Sequence, residues 1–120
     1  MQYIILIYGD EQRFAQQMSG DAMQQMYAAF MQYNKDLAAA GVLRGGAELK
    51  PTSTATTLRI RDGKTMLTDG PFAETKEALG GYYVIDAPSL DEALKWAARC
   101  PAAHHGSIEV RPLGVMPDTL

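Results

Sequence analysis

The stretch Gln2-Tyr3-Ile4-Ile5-Leu6-Ile7-Tyr8 decides how this chain folds. Side chains alternate across a strand, so Tyr3, Ile5 and Ile7 point to one face while Ile4, Leu6 and Tyr8 point to the other. Both faces are apolar, which describes a central strand covered on both sides. A second stretch, Gly81-Tyr82-Tyr83-Val84-Ile85-Asp86, has the same property: Tyr82 and Val84 oppose Tyr83 and Ile85. The last strand, from Ser107 to Leu113, alternates instead. Ile108, Val110 and Pro112 form a core face against Ser107, Glu109 and Arg111.

Helical spacing separates these strands. Gly9, Asp10 and Glu11 end the first strand, and a polar connection leads to Ser19, Gly20 and Asp21, any of which can cap a helix. Met23, Met26, Tyr27, Phe30, Tyr33 and Leu37 then form the stripe of an amphipathic helix, with Gly41 placed to end it. A second helix opens on the capping box Ser89-Leu90-Asp91-Glu92, continues its stripe through Leu90, Ala93, Leu94 and Ala97, and stops at Pro101. Between the helices lie a short segment from Val42 to Leu49, the breaker Pro51, and a hairpin closed by Asp62-Gly63, a pair suited to a type I′ turn. In that hairpin Leu58, Ile60, Thr65, Leu67 and Asp69 share one face, and Arg59, Arg61, Lys64, Met66 and Thr68 share the other.

The order strand, helix, strands, helix, strand predicts an α+β fold, a ferredoxin-like antiparallel sheet with two helices on one face. Helices on one face leave the other apolar face of the two central strands to find a partner, and a homodimer with its sheets packed face to face is the simplest solution. Residues 1–120 are expected to form a single domain, long enough to bury roughly two thirds of its unfolded surface. The chain is 47% hydrophobic and 21% charged, the balance of an ordinary globular protein.

Other classes are excluded by composition. A net charge of -3 offers no broad basic surface for nucleic acid, and the cluster Arg59, Arg61 and Lys64 reads as a solvated hairpin face. Tyr3 to Tyr8 is too short to span a bilayer and lacks the surroundings of a secretory signal, so no membrane association and a cytoplasmic location are expected. Cys100, alone and next to Pro101, reads as a buried structural thiol. His104 and His105 are adjacent, point in different directions and have no third ligand at a recognisable spacing. Gly45-Gly46 and Gly80-Gly81 lack the strand-to-helix context of a phosphate loop. No metal and no cofactor are expected.

Several segments together resemble a known family: Tyr8-Gly9-Asp10-Glu11, the run from Ala55 to Gly63, Thr68 to Asp86 containing Asp69-Gly70-Pro71-Phe72, Leu90 to Ala103, and Ile108 to Leu113. They are similar to the DGPF branch of the YCII-related family. The resemblance implies a ferredoxin-like subunit that pairs into a dimeric α/β barrel, a superfamily that includes cofactor-free oxygenases, isomerases and haem enzymes. YCII relatives have been proposed to use a His and an Asp. The first long helix of this chain has no histidine, so the His half does not carry over. Some relatives accompany extracytoplasmic-function sigma factors, which implies a regulatory alternative.

The loop from Thr68 to Gly81 is the candidate site. As structure, Asp69 starts a turn by accepting from the following backbone, Gly70 and Pro71 shape the reversal, and Phe72 plugs the core. As chemistry, Asp69 ends a strand on an apolar face near Glu74, Lys76 and Glu77, surroundings that can bias a carboxylate toward proton abstraction. Asp69 is the candidate base, and Lys76, Glu77 and Arg111 are candidate ligand-binding residues for a small anionic metabolite. Two functions follow: a cofactor-free enzyme working by acid-base chemistry, and a non-catalytic module that binds a metabolite or a regulatory protein.

Overall fold

The computed structural model of the chain describes residues 1–17 and 20–114, and Ser19, one of the three capping candidates, lies outside them. β1 (Gln2–Gly9) leads through α1 (Glu11–Gln17) and α2 (Asp21–Ala39) to β2 (Leu43–Glu48). A ribbon of β3 (Thr56–Arg61) and β4 (Lys64–Asp69) follows, then β5 (Ala78–Asp86), α3 (Leu90–Ala98) and β6 (Ser107–Pro112). The main sheet has the order β2-β5-β1-β6, antiparallel throughout. With the ribbon set aside this is the ferredoxin-like arrangement expected. α1 is an addition, a short helix where a plain connection was read.

The two-faced strands occupy the two central positions. Tyr3, Ile5 and Ile85 are buried beneath the helices with Tyr33, Leu37, Ala93, Ala97 and Cys100, while Ile7, Tyr83, Ile108 and Val110 extend this layer. On the opposite face Ile4 sits between Val84 and Arg111, and Leu6 between Tyr82 and Glu109. Ile4, Leu6, Tyr82 and Val84 are only half-buried there, while Arg111 and Glu109 are exposed. Among the described residues no helix is long and apolar enough to cross a membrane.

α2 ends as its glycine foretold. Gly41 takes φ +72°, its N–H reaches the carbonyl of Ala38, and the N–H of Val42 reaches that of Leu37, which is the complete Schellman pattern. Its start differs, because Gly20 occupies the cap position without a side-chain hydrogen bond. Tyr27, read as part of the core stripe, is 53% exposed. In α3 the Ser89 hydroxyl accepts from the amide of Glu92, but the Glu92 carboxylate takes Lys95 at 3.0 Å instead of reaching back. The stripe of α3 is also rotated: Leu90 and Leu94 are exposed, whereas Ala93, Ala97 and the half-buried Trp96 face the sheet. Small alanines let the helix approach the strands closely, so the larger leucines fall outside.

The ribbon turns at Asp62 and Gly63, both with positive φ, and Arg61 pairs with Lys64, as a two-residue turn requires. Neither of its strands joins the main sheet. The molecule has a flat outline of 48 × 45 × 18 Å and a radius of gyration of 16.6 Å. A compact chain of this length has a radius near roughly 14 Å.

Candidate functional site

β1 delivers the chain to Asp10, whose carboxylate oxygen Oδ1 accepts from the amides of Gln12 and Arg13, each at 3.1 Å, and so caps α1. The next residue reaches far along the sequence. Glu11 accepts from the amide of Thr52 at 2.9 Å and from its hydroxyl at 2.8 Å, fastening α1 to the short 3-10 turn Thr52–Thr54. That turn is laced in its own right to the loop after β4. Gly70 donates its N–H to Ala55 at 2.6 Å, and the Thr57 hydroxyl donates to the Gly70 carbonyl at 2.8 Å. Gly70 has φ +99°, a backbone state that a side chain would strain.

Three walls thereby line a half-open cavity of about 480 Å³. One is Asp10 to Gln12, another Thr52 and Ser53, and the third runs from Gly70 through Glu74 and Lys76 to Ala78. Its volume suits a small organic ligand. Lys76 and Glu74 are exposed and, among the described residues, pair with no other charge. Among the described residues Asp10 keeps Oδ2 available, because both of its hydrogen bonds to them end on Oδ1.

The structure divides the residues singled out from the sequence. Lys76 lines the cavity. Asp69 sits one residue outside the lining, exposed, and among the described residues its carboxylate makes no hydrogen bond; the turn is held by Gly70 and Thr57 instead. Phe72 is 78% exposed and plugs no core in the single chain. Glu77 accepts from the Ser107 hydroxyl at 2.6 Å, and its carbonyl accepts from Thr75, so it ties the loop to β6. Arg111 lies on the open face of the sheet, away from the cavity.

On that open face the Tyr8 hydroxyl donates to Glu109 at 3.2 Å. Loss of water raises the Tyr8 pKa, and the bond to Glu109 and its negative charge add to the rise, while Arg111 opposes it. Asp10, Glu11 and Thr52 were not among the sequence candidates. Asp10 and Glu11 read as the end of a strand and as part of the Tyr8-Gly9-Asp10-Glu11 segment of the family resemblance, not as site residues, and no spacing signals a contact between residues 11 and 52.

A second groove of about 660 Å³ lies between α2 and the 3-10 turn Pro101–His104, where Tyr33, Asp36, Arg99, His104 and His105 meet. Its polar groups largely satisfy one another. Arg99 pairs with Asp36 at 2.8 Å and lies 4.6 Å from the Trp96 ring centre, and Gln32 donates to the same Asp36 carboxylate. Among the described residues no three His, Cys, Asp or Glu side chains converge as metal ligands.

Comparison with known proteins places this geometry in context. An uncharacterized protein from Rhizobium meliloti (strain 1021), R00369, is 42% identical over 120 residues, spanning 96% of this chain and 94% of its own. The solved structure of 5-chloro-2-hydroxyhydroquinone dehydrochlorinase from Burkholderia phenoliruptrix AC1100, in complex with 2,5-dihydroxybenzoquinone, superimposes with a TM-score of 0.50. That match covers 95% of this chain and 94% of the other at 19% identity, a likeness of fold. The YCII-related domain model matches residues 1–117, so with nearly its whole length accounted for, the chain belongs to the YCII-related family.

Proposed function

We propose that the cavity between Asp10, Thr52 and Lys76 binds a small anionic or hydroxylated molecule and moves a proton on it, without a bound cofactor. The observation that carries this reading is the meeting, in one 480 Å³ space, of an ammonium that forms no ion pair among the described residues and a carboxylate whose Oδ2 accepts no hydrogen bond among them. Lys76 holds the negative charge of the ligand. Asp10 on the inner wall and Asp69 beside Gly70 are the proton acceptors, and the electron pair left behind stays on the ligand next to the ammonium. The structural neighbour is by its name a dehydrochlorinase, which removes hydrogen chloride from a hydroxylated ring. Such an elimination needs a base and a place for anionic charge, the pair of groups found here.

We also infer, from Asp69 to Phe72, that the chain falls in the DGPF branch of the family, and that it works as a homodimer. The unpartnered row of Ile4, Leu6, Tyr82 and Val84 supports the second point. Full burial of one such side chain contributes roughly 1.5 to 3 kcal/mol.

A thermal-shift series with 2,5-dihydroxybenzoquinone and simple hydroxybenzoates tests the site, since a ligand that binds only the folded chain raises its melting point. Lys76→Met is expected to abolish the shift. Asp10→Asn keeps the oxygen that caps α1 and is expected to retain binding while losing ligand-dependent proton uptake. Shifts of equal size in the parent and in Lys76→Met would reject the assignment.

A further inference from the structure

We propose that the β3–β4 ribbon is an exchange arm, its apolar face of Leu58, Ile60 and Leu67 lying on a second copy of this chain. This rests on the homodimer reading above and adds to it which element does the clasping. Leu58, Ile60 and Leu67 are 58%, 60% and 67% exposed, and Leu58 stands directly opposite Leu67. A two-stranded ribbon is marginal in water by itself, and this one gains no strand from the main sheet. It therefore needs a surface to lie on. The hydrogen bonds Gly70 to Ala55 and Thr57 to Gly70 close its base by joining its own two ends, and its three large apolar side chains stay exposed.

Area names the occupant. The chain exposes 8748 Å², against about 6,400 Å² for a compact monomer of this mass. The excess is well above the roughly 800 Å² that each partner buries in a stable complex. A two-fold axis lets both arms lie on the partner's body at once, with Arg59, Arg61 and Lys64 left on the outward, solvated face of each ribbon. Seating the arm also seats the site. Its two ends run directly into Thr52–Ser53 and Gly70–Pro71, two of the three cavity walls.

The test uses the full chain with a photo-crosslinking phenylalanine analogue at position 60, mixed as heavy-isotope and light-isotope copies. Irradiation is expected to join two chains, with crosslinked peptides pairing heavy with light. In parallel, Leu58→Asp and Leu67→Asp are each expected to weaken self-association by at least about thirtyfold in sedimentation equilibrium, with slow hydrogen exchange at Ile5 and Leu37 retained as proof of a folded body. A dimer crosslinked only within its own chain would overturn the arm and leave the dimer standing, as would Asp variants that associate like the parent. A parent that is monomeric at micromolar concentration would overturn both.

Discussion

Removing the Glu11 carboxylate should loosen the wall of the cavity more than it loosens the core. Its two oxygens accept from the amide and the hydroxyl of Thr52 at 2.9 and 2.8 Å, and both residues are half-buried. A hydrogen bond to a charged group is worth about 1.5 to 3 kcal/mol when well shielded. Here water can reach the freed Thr52 donors, so Glu11→Ala is expected to cost about 1.5 to 3 kcal/mol for the pair, not twice that. Glu11→Gln keeps one acceptor and turns an NH₂ toward the Thr52 oxygen, which can accept it, so about 0.5 to 1 kcal/mol is expected. Urea melts followed by far-UV circular dichroism read the global change, and hydrogen exchange at the Thr52 amide reads the local one. The exchange rate should rise more than the global loss alone explains. An Ala variant within about 0.5 kcal/mol of the parent, with the Thr52 amide still protected, would refute the clamp.

Three further outcomes follow from geometry already described. A Cβ at Gly106 would lie 2.0 Å from the Tyr8 carbonyl oxygen, so Gly106→Ala should destabilise by about 1 to 3 kcal/mol in a thermal melt; a variant as stable as the parent would show that the β1–β6 edge yields freely. Burial pushes the Tyr83 phenol up to about 12, above its unfolded value, so its contribution is whole below pH 10 and is lost as pH rises toward 12, about 2 kcal/mol after allowance for partial exposure; Tyr83→Phe should flatten that limb of the stability curve. Asp69→Ala should leave stability within about 0.5 kcal/mol of the parent, because its carboxylate bonds to nothing among the described residues, while ligand-dependent proton uptake falls if Asp69 is a base; a large loss of stability would reinstate it as the clasp of the turn.

β1, β5 and β6 were legible because a period of two survives any packing partner, whereas β2, interrupted by Gly45-Gly46, read only as a short segment. Tyr3 and Ile5 against Ile4 and Leu6 predict a two-faced strand, and β1 is central in the sheet. The Asp62-Gly63 turn was equally plain, since few other pairs tolerate positive φ at both positions. α1 escaped notice because Glu11–Gln17 has no apolar stripe and depends on the Asp10 cap. Hydropathy misplaced Phe72, Leu90 and Leu94, which are exposed, because an apolar side chain states a preference for burial and not the neighbour that provides it. Of the cavity lining, Lys76 was singled out from its loop, but the wall opposite is made by a contact between residues 11 and 52 that only the folded topology creates.

The thiol of Cys100 is fully buried in the main core, and burial also raises its pKa, so both access and thiolate content are low. Maleimide and methanethiosulfonate reagents should pass the native protein by. Cysteines introduced at Ser53 on the cavity wall or at Arg59 on the ribbon would then take a fluorophore or spin label selectively, with the parent protein as its own blank. Distances across the cavity mouth become measurable without first engineering the native cysteine away.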